Sequence, residues 1–204
     1  MLPFAISVIV VSAGLLFVTQ GENGLPQTPQ DGEEVAVIET GEGQIVLMFY
    51  PGKAPRHVEN FKTLSRRGFY DGTRFHRTIN GFMIQGGDPN SKDLSKAQIW
   101  GTGGNEIEGS EINLPAEFND IRHDAGVLSM ARSQDPDSAS SQFFIMHKAS
   151  PHLDGQYSAF GRVVKGQDVV DKIATKPSGS NGEIQPADAV VVTSVKIETW
   201  PLKG

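Results

Sequence analysis

Residues 75–88 read FHRTINGFMIQGGD. A cation, large aromatics, a thioether and an amide fall within a few positions of one another, and Gly81, Gly86 and Gly87 bracket them. Successive residues of a strand point to opposite faces, so two short strands at 73–77 and 82–85, joined through Gly81, bring Arg77, Met83 and Gln85 to one concave face. The same letters taken alone are better described by a plain hairpin with Arg77 outward and Phe82 inward.

Working outward, further short apolar runs lie among glycine-rich loops at 126–131, 142–146 and 158–163. Upstream, 35–40 and 44–50 are β-branched runs separated by Gly41-Glu42-Gly43, which predicts a hairpin. The alternation at 190–200 closes the set with Val195 and Ile197 against Ser194, Lys196 and Glu198. Helical spacing occurs only twice. Pro55 opens a helix whose Val58, Phe61 and Leu64 share a face and which Gly68 ends; a shorter one at 167–174 offers Val169, Val170 and Ile173. Eight strands with two helices predict a mainly β fold, a closed antiparallel barrel that leaves no exposed sheet edge.

The 204 residues include 23 glycines and no cysteine, with a formal net charge of −6. The negative balance argues against a nucleic-acid partner, because phosphate contacts need Lys and Arg. Without cysteine there is no disulfide framework, thiol nucleophile or thiolate zinc site. The five histidines (57, 76, 123, 147 and 152) show no ligand spacing, so no metal is expected. Gly101 to Gly104 lacks the Lys-Ser/Thr of a phosphate loop and reads as a groove turn.

The first 21 residues carry no charged side chain, and 2–18 is almost wholly apolar. That run exceeds the ~7–15 residues of a signal-peptide core and falls just short of the ~20 that span a bilayer. Residues 1–19 are therefore expected to be an export signal or membrane anchor, although no Lys or Arg stands before the apolar run to mark orientation. The polar, Gly/Pro-bearing 20–34 reads as a flexible linker, and 35–204 as the folded domain. An extracytoplasmic location, periplasmic or secreted, follows as the expectation.

Taken together, FHR-x-I-x-x-FMIQGGD, GTGG at 101–104, GVLSMA at 126–131, SQFFI at 141–145 and LDG with FG at 153–161 resemble the cyclophilin family of peptidyl-prolyl cis–trans isomerases. The motifs keep family order and cover about 35–200. The resemblance implies an eight-stranded antiparallel barrel with two capping helices and an active site on its outer surface. It assigns Arg77 as the catalytic arginine, with Phe82 and Gln85 beside it, and Gln85 as the amide that binds substrate backbone. Phe82, Met83, Phe144 and Leu153 become the walls of a proline pocket. Ala131 and Arg132 match the segment that pairs with bound peptide, while Gly101 and Gln142 line an adjoining groove. His76, His152 and Tyr157 complete the substrate-binding set, His76 as a hydrogen-bonded scaffold residue rather than a general base.

The chemistry suits these residue types. Rotation about an amide faces a barrier of ~18–20 kcal/mol, and an uncatalysed X–Pro bond takes tens to hundreds of seconds to isomerise. No heavy-atom bond breaks, so no nucleophile, metal or cofactor is needed. As the bond twists, the prolyl nitrogen becomes pyramidal and accepts a hydrogen bond. A fixed guanidinium beside it stabilises the twisted state above either planar one.

The expected partners are proline-containing polypeptide clients, whose folding the protein would assist as a monomer. A cyclophilin-fold peptide-binding or chaperone module with little catalysis is the alternative; Arg77, Phe82, Gln85 and Phe144 together favour the enzyme. Three positions depart from the best-known cytosolic members: His152 where many have tryptophan, Tyr157 where many have histidine, and Arg132 where many have asparagine. Tyr157 looks like bacterial members. His152 implies weak binding of cyclosporin, and the stretch 89–99 is longer than usual before GTGG.

Overall fold

The computed structural model describes residues 24–203. In chain order its elements are β1 (Glu34–Thr40), β2 (Gly43–Phe49), α1 (Pro55–Arg66), β3 (Arg74–Phe75), β4 (Arg77–Ile79), β5 (Met83–Gly86), β6 (Glu106–Ile107), β7 (Ser110–Glu111), β8 (Val127–Met130), β9 (Phe143–Met146), β10 (Ala159–Lys165), α2 (Gln167–Ala174) and β11 (Val190–Thr199). Nine strands form one antiparallel sheet in the order β3-β11-β1-β2-β10-β8-β9-β5-β4. Its two edge strands are consecutive in the chain, so His76 alone separates the edges and the sheet curls nearly closed.

That junction explains the ninth strand. The expected strand at 73–77 breaks at His76 because its two ends serve different partners. Phe75 pairs with Val190 on β11, and Arg77 pairs with Gln85 on β5. The other large-sheet strands lie within a residue or two of their expected places.

Parity along the strands divides the apolar residues between two clusters. Leu47, Ile84, Leu128, Phe143 and Phe160 point into the barrel, where Phe61 of α1 packs against Phe143 and Phe160 at centroid distances of 5.3 and 5.7 Å. Val169, Val170 and Ile173 of α2 enter the same core. Their immediate neighbours Met48, Met83, Val127 and Phe144 face outward and form a second buried cluster with Leu153 and Ile121. A barrel with one solvated face would carry polar residues there. The outer apolar cluster is the floor of a site.

Three local features depart from the expected pattern. A small β6–β7 hairpin turns through Glu108 (φ 53°) and Gly109 (φ 78°). The long stretch before GTGG folds as two 3-10 turns, Pro89–Lys92 and Leu94–Ile99, started by the Asp88 and Asp93 side chains. The described part of the expected linker is laid on the barrel rather than free. Leu25 packs on the outer cluster, the Tyr50 hydroxyl donates to Pro26 O at 3.0 Å, and Gly32 N donates to Trp200 O at 2.8 Å. The expected signal or anchor at 1–19 lies outside the described residues. Among those residues no helix is long and apolar enough to cross a membrane.

Candidate active site

Register places the key residues in one row. Arg77 on β4 faces Gln85 on β5, Gln85 faces Phe144 on β9, and Phe144 faces Ser129 on β8. Two residues along, Met83 stands opposite both Ile79 and Met146. All these outward side chains therefore rise from adjacent strands on one face.

Above this row is a cavity of about 330 Å³ lined by Arg77, Phe82, Met83, Gln85, Ala131, Arg132, Phe144, His152, Leu153 and Tyr157. Its floor is apolar: Met83, Phe144 and Leu153 are buried. Tyr157 meets Phe144 edge-on at 5.6 Å, and the rings of Phe82 and His152 lie 5.7 Å apart at the rim. An adjoining groove of about 280 Å³ shares Gln85, Ala131 and Arg132 with it and adds Gly101 and Gln142, with a more polar wall that includes Glu111.

Arg77 is half-buried and doubly held. Its Nε donates to Asn181 O at 2.7 Å, and Nη1 donates to Gln85 Oε1 at 3.4 Å while lying 4.0 Å from Met83 Sδ. Burial lowers its pKa, opposed by the Glu183 carboxylate and by Tyr157. A guanidinium still keeps its charge across the neutral range. A relay continues behind it. Gln85 Nε2 donates to Gln142 Oε1 at 2.9 Å, and Gln142 Nε2 donates to Gly101 O and Gly103 O at 2.9 and 2.8 Å. Because the two backbone carbonyls take the Gln142 amide nitrogen, its oxygen faces Gln85, which in turn aims the Gln85 oxygen at Arg77.

Arg132 contributes more than backbone. Its guanidinium lies 4.5 Å from the Tyr157 ring centroid and 5.8 Å from that of Phe118, and it donates to Gln156 O and Ser133 O. It thereby ties the loop after β8 to the turn carrying Tyr157. β8 itself ends at Met130, so Ala131 and Arg132 lie just past the strand.

His76 is the one expected site residue in neither cavity. His76 is 5% exposed, with the Arg74 backbone and the Gln142 side chain as its polar neighbours. It sits behind the groove floor, with Gly101, Gln142 and Asp88 as neighbours; burial lowers its pKa, opposed by the Asp88 carboxylate. Gly101 is in turn fixed by the buried Asp88 carboxylate, which accepts from its N–H.

Two supports carry no signal in the sequence. His123 stacks on Phe144 at 6.1 Å, held by Asp154 Oδ1 on Nδ1 and Ser129 Oγ on Nε2, each at 3.1 Å. Asn181 acts through a backbone carbonyl, which no residue type announces.

The arrangement is a fixed cation beside an apolar slot, flanked by side-chain amides. Residues 35–197 match the family model described as cyclophilin type peptidyl-prolyl cis-trans isomerase. A probable peptidyl-prolyl cis-trans isomerase of Brucella abortus is 40% identical over 172 residues, spanning 83% of this chain and 86% of its own. A peptidyl-prolyl cis-trans isomerase of Arabidopsis thaliana is 39% identical over 168 residues, 82% of this chain and 98% of its own. Among solved structures, a cyclophilin-type isomerase of Cryptosporidium parvum, crystallised in the presence of the dipeptide Ala-Pro, aligns with TM-score 0.70 and 32% identity over 81% of this chain and 99% of its own. The chain belongs to the cyclophilin-type peptidyl-prolyl cis-trans isomerases and is an enzyme of that class.

Proposed function

We propose that the chain isomerises X–Pro bonds in polypeptide clients by seating the proline ring on Phe144, Met83 and Leu153 and offering the Arg77 guanidinium to the prolyl nitrogen. The observation that carries this reading is the pairing of a doubly anchored Arg77 with an apolar cavity on the same sheet face. The apolar floor holds the ring while the carbonyl side turns, and it removes water that would weaken the Arg77 donor. As the amide loses conjugation, its nitrogen lone pair meets a donor already in place, so stabilisation is greatest in the twisted state. Gln85 and the backbone at Ala131 and Arg132 hold the flanking peptide. No covalent intermediate forms and no proton is transferred.

The Ala-Pro dipeptide of the Cryptosporidium neighbour supports a proline-containing ligand for this cavity. The apolar stretch at 2–18 supports export or tethering, which would direct the activity to clients folding outside the cytoplasm. N-terminal sequencing of the fractionated native protein tests that placement, and a soluble cytoplasmic chain beginning at Met1 would refute it.

The experiment on the reaction is isomerisation of a short Ala-Pro peptide by the full chain and by Arg77→Ala. A folded Arg77→Ala variant should lose roughly 10²–10³-fold in kcat/KM, the usual effect of removing a preorganised donor. Equal rates for the two proteins would remove Arg77 from the mechanism.

A further inference from the structure

Arg77 is oriented by a stretch of chain that presents no side chain to the cavity. The segment 178–184 folds on itself: Gly182 N donates to Gly179 O at 2.9 Å, Gly179 N donates to Glu183 O at 2.8 Å, and Ser178 and Ile184 form a bridge. It then docks along β4. Thr78 N donates to Gly182 O at 2.8 Å, Ile184 N to His76 O at 3.3 Å, and Arg77 bridges Glu183. The loop thus lies on β4 opposite β5, at the position the next strand would occupy.

Gly182 is the contact point. It is buried, with φ +89°, and a Cβ there would come within 2.5 Å of Ile79 Cγ1, 2.9 Å of Thr78 O and 3.2 Å of Arg77 Cγ. Both the backbone angle and the space demand glycine. One residue earlier, the Asn181 carbonyl receives Arg77 Nε–H, while Gln85 receives Nη1 from the other side. Two acceptors on two edges of a planar group fix its plane as well as its position. Nη2 has no hydrogen-bond partner among the described residues. Glu183 lies beside Arg77 on the bridge to β4, and its carboxylate favours the charged guanidinium.

We infer that the 178–184 loop is a positioning device for Arg77, with the Asn181 carbonyl and Gly182 as positioning residues that set the guanidinium plane, and through it kcat, without touching the peptide. The inference rests on the proposed role of Arg77. It separates the loop from the proline pocket, whose walls Phe82, Phe144 and Leu153 come from other segments.

The test uses the full chain, Gly182→Ala and Glu183→Ala, with two readouts: kcat and KM on an Ala-Pro peptide, and the Arg77 Nε–Hε signal by NMR, assigned by its loss in Arg77→Ala. In folded Gly182→Ala, kcat should fall roughly tenfold to a hundredfold with KM within about twofold, since the cost of misplacing a reacting group falls on the chemical step. The Arg77 signal should shift and lose its exchange protection. Glu183→Ala, which adds no atom near Arg77, should show the same pattern more weakly. Folded variants with wild-type kcat, or an unmoved Arg77 signal, would overturn the inference; if Gly182→Ala does not fold, Glu183→Ala decides. An inactive wild-type chain would instead defeat the isomerase reading, and the NMR readout would still report whether the loop sets Arg77.

Discussion

Gln85 and Gln142 join their side-chain amides at 2.9 Å, and this bond couples the proline cavity to the groove beside it. Gln142→Leu would keep the volume but leave the Gly101 and Gly103 carbonyls without their donor and free the Gln85 amide to rotate. The expected result is about a tenfold fall in kcat/KM, equivalent to ~1.4 kcal/mol, with a destabilisation of ~1–3 kcal/mol from the unpaired groups. Peptide kinetics alongside urea unfolding would measure both, and unchanged kinetics would show that Gln85 needs no support.

Lysine at position 77 separates charge from geometry. The Asn181 and Gln85 acceptors flank a planar fork, which an ammonium on a flexible stem does not match. Arg77→Lys should therefore remain folded yet recover less than about a tenth of wild-type kcat/KM. Near-complete recovery would mean that positive charge alone suffices.

Phe143 and Phe144 are adjacent but belong to different clusters. Phe143→Ala opens the barrel core and should cost ~3–5 kcal/mol of stability. Phe144→Ala should cost less stability, because its ring borders the cavity, and should raise KM strongly. A melt and a saturation curve on each variant make the comparison; reversed effects would misplace the sheet's two faces.

Acid should destabilise the fold before it touches the reaction. Burial lowers the pKa of His57, His76 and His123 below the ~6.5 of an unfolded histidine. As pH falls through ~6.5 the unfolded chain binds protons that the folded chain does not, so stability is fully present above that value and is lost toward the lower folded pKa. Urea midpoints should drop between pH 7.5 and 5.5, less steeply in His76→Leu. With Arg77 charged throughout, kcat/KM should stay flat from pH 6.5 to 9; a bell-shaped profile would require a proton-transfer step.

His152 sits 5.7 Å from Phe82 at the open rim, and its imidazole offers less apolar edge than an indole would. Cyclosporin should inhibit weakly, and His152→Trp should improve inhibition at least tenfold. Inhibition of the wild type at nanomolar concentration would contradict this.

Much of the fold is legible because strand parity and glycine punctuation are local. Phe143-Phe144 announces one core and one surface ring without any partner in view, and Pro55 with Val58, Phe61 and Leu64 announces α1. The break at His76 is not local, since it depends on β11, more than 100 residues later, claiming one half of the strand. The site divides the same way. Spacing puts Arg77, Met83 and Gln85 within reach of one face but leaves a plain hairpin open, so their roles, like the wider set, come from family resemblance, whereas His123 reaches Phe144 only through the fold. Asn181 contributes a carbonyl common to every residue, and Arg132 uses its side chain to join two loops.

The near-closure at His76 places the barrel's seam one residue before Arg77. Neither edge of the sheet alone can assemble the site: β5 supplies the Gln85 side of the arginine, while β11 fixes the chain just before it. Activity consequently reports on the seam. Were the barrel to part there, Phe75 would leave the aromatic core and the arginine would lose its fixed address.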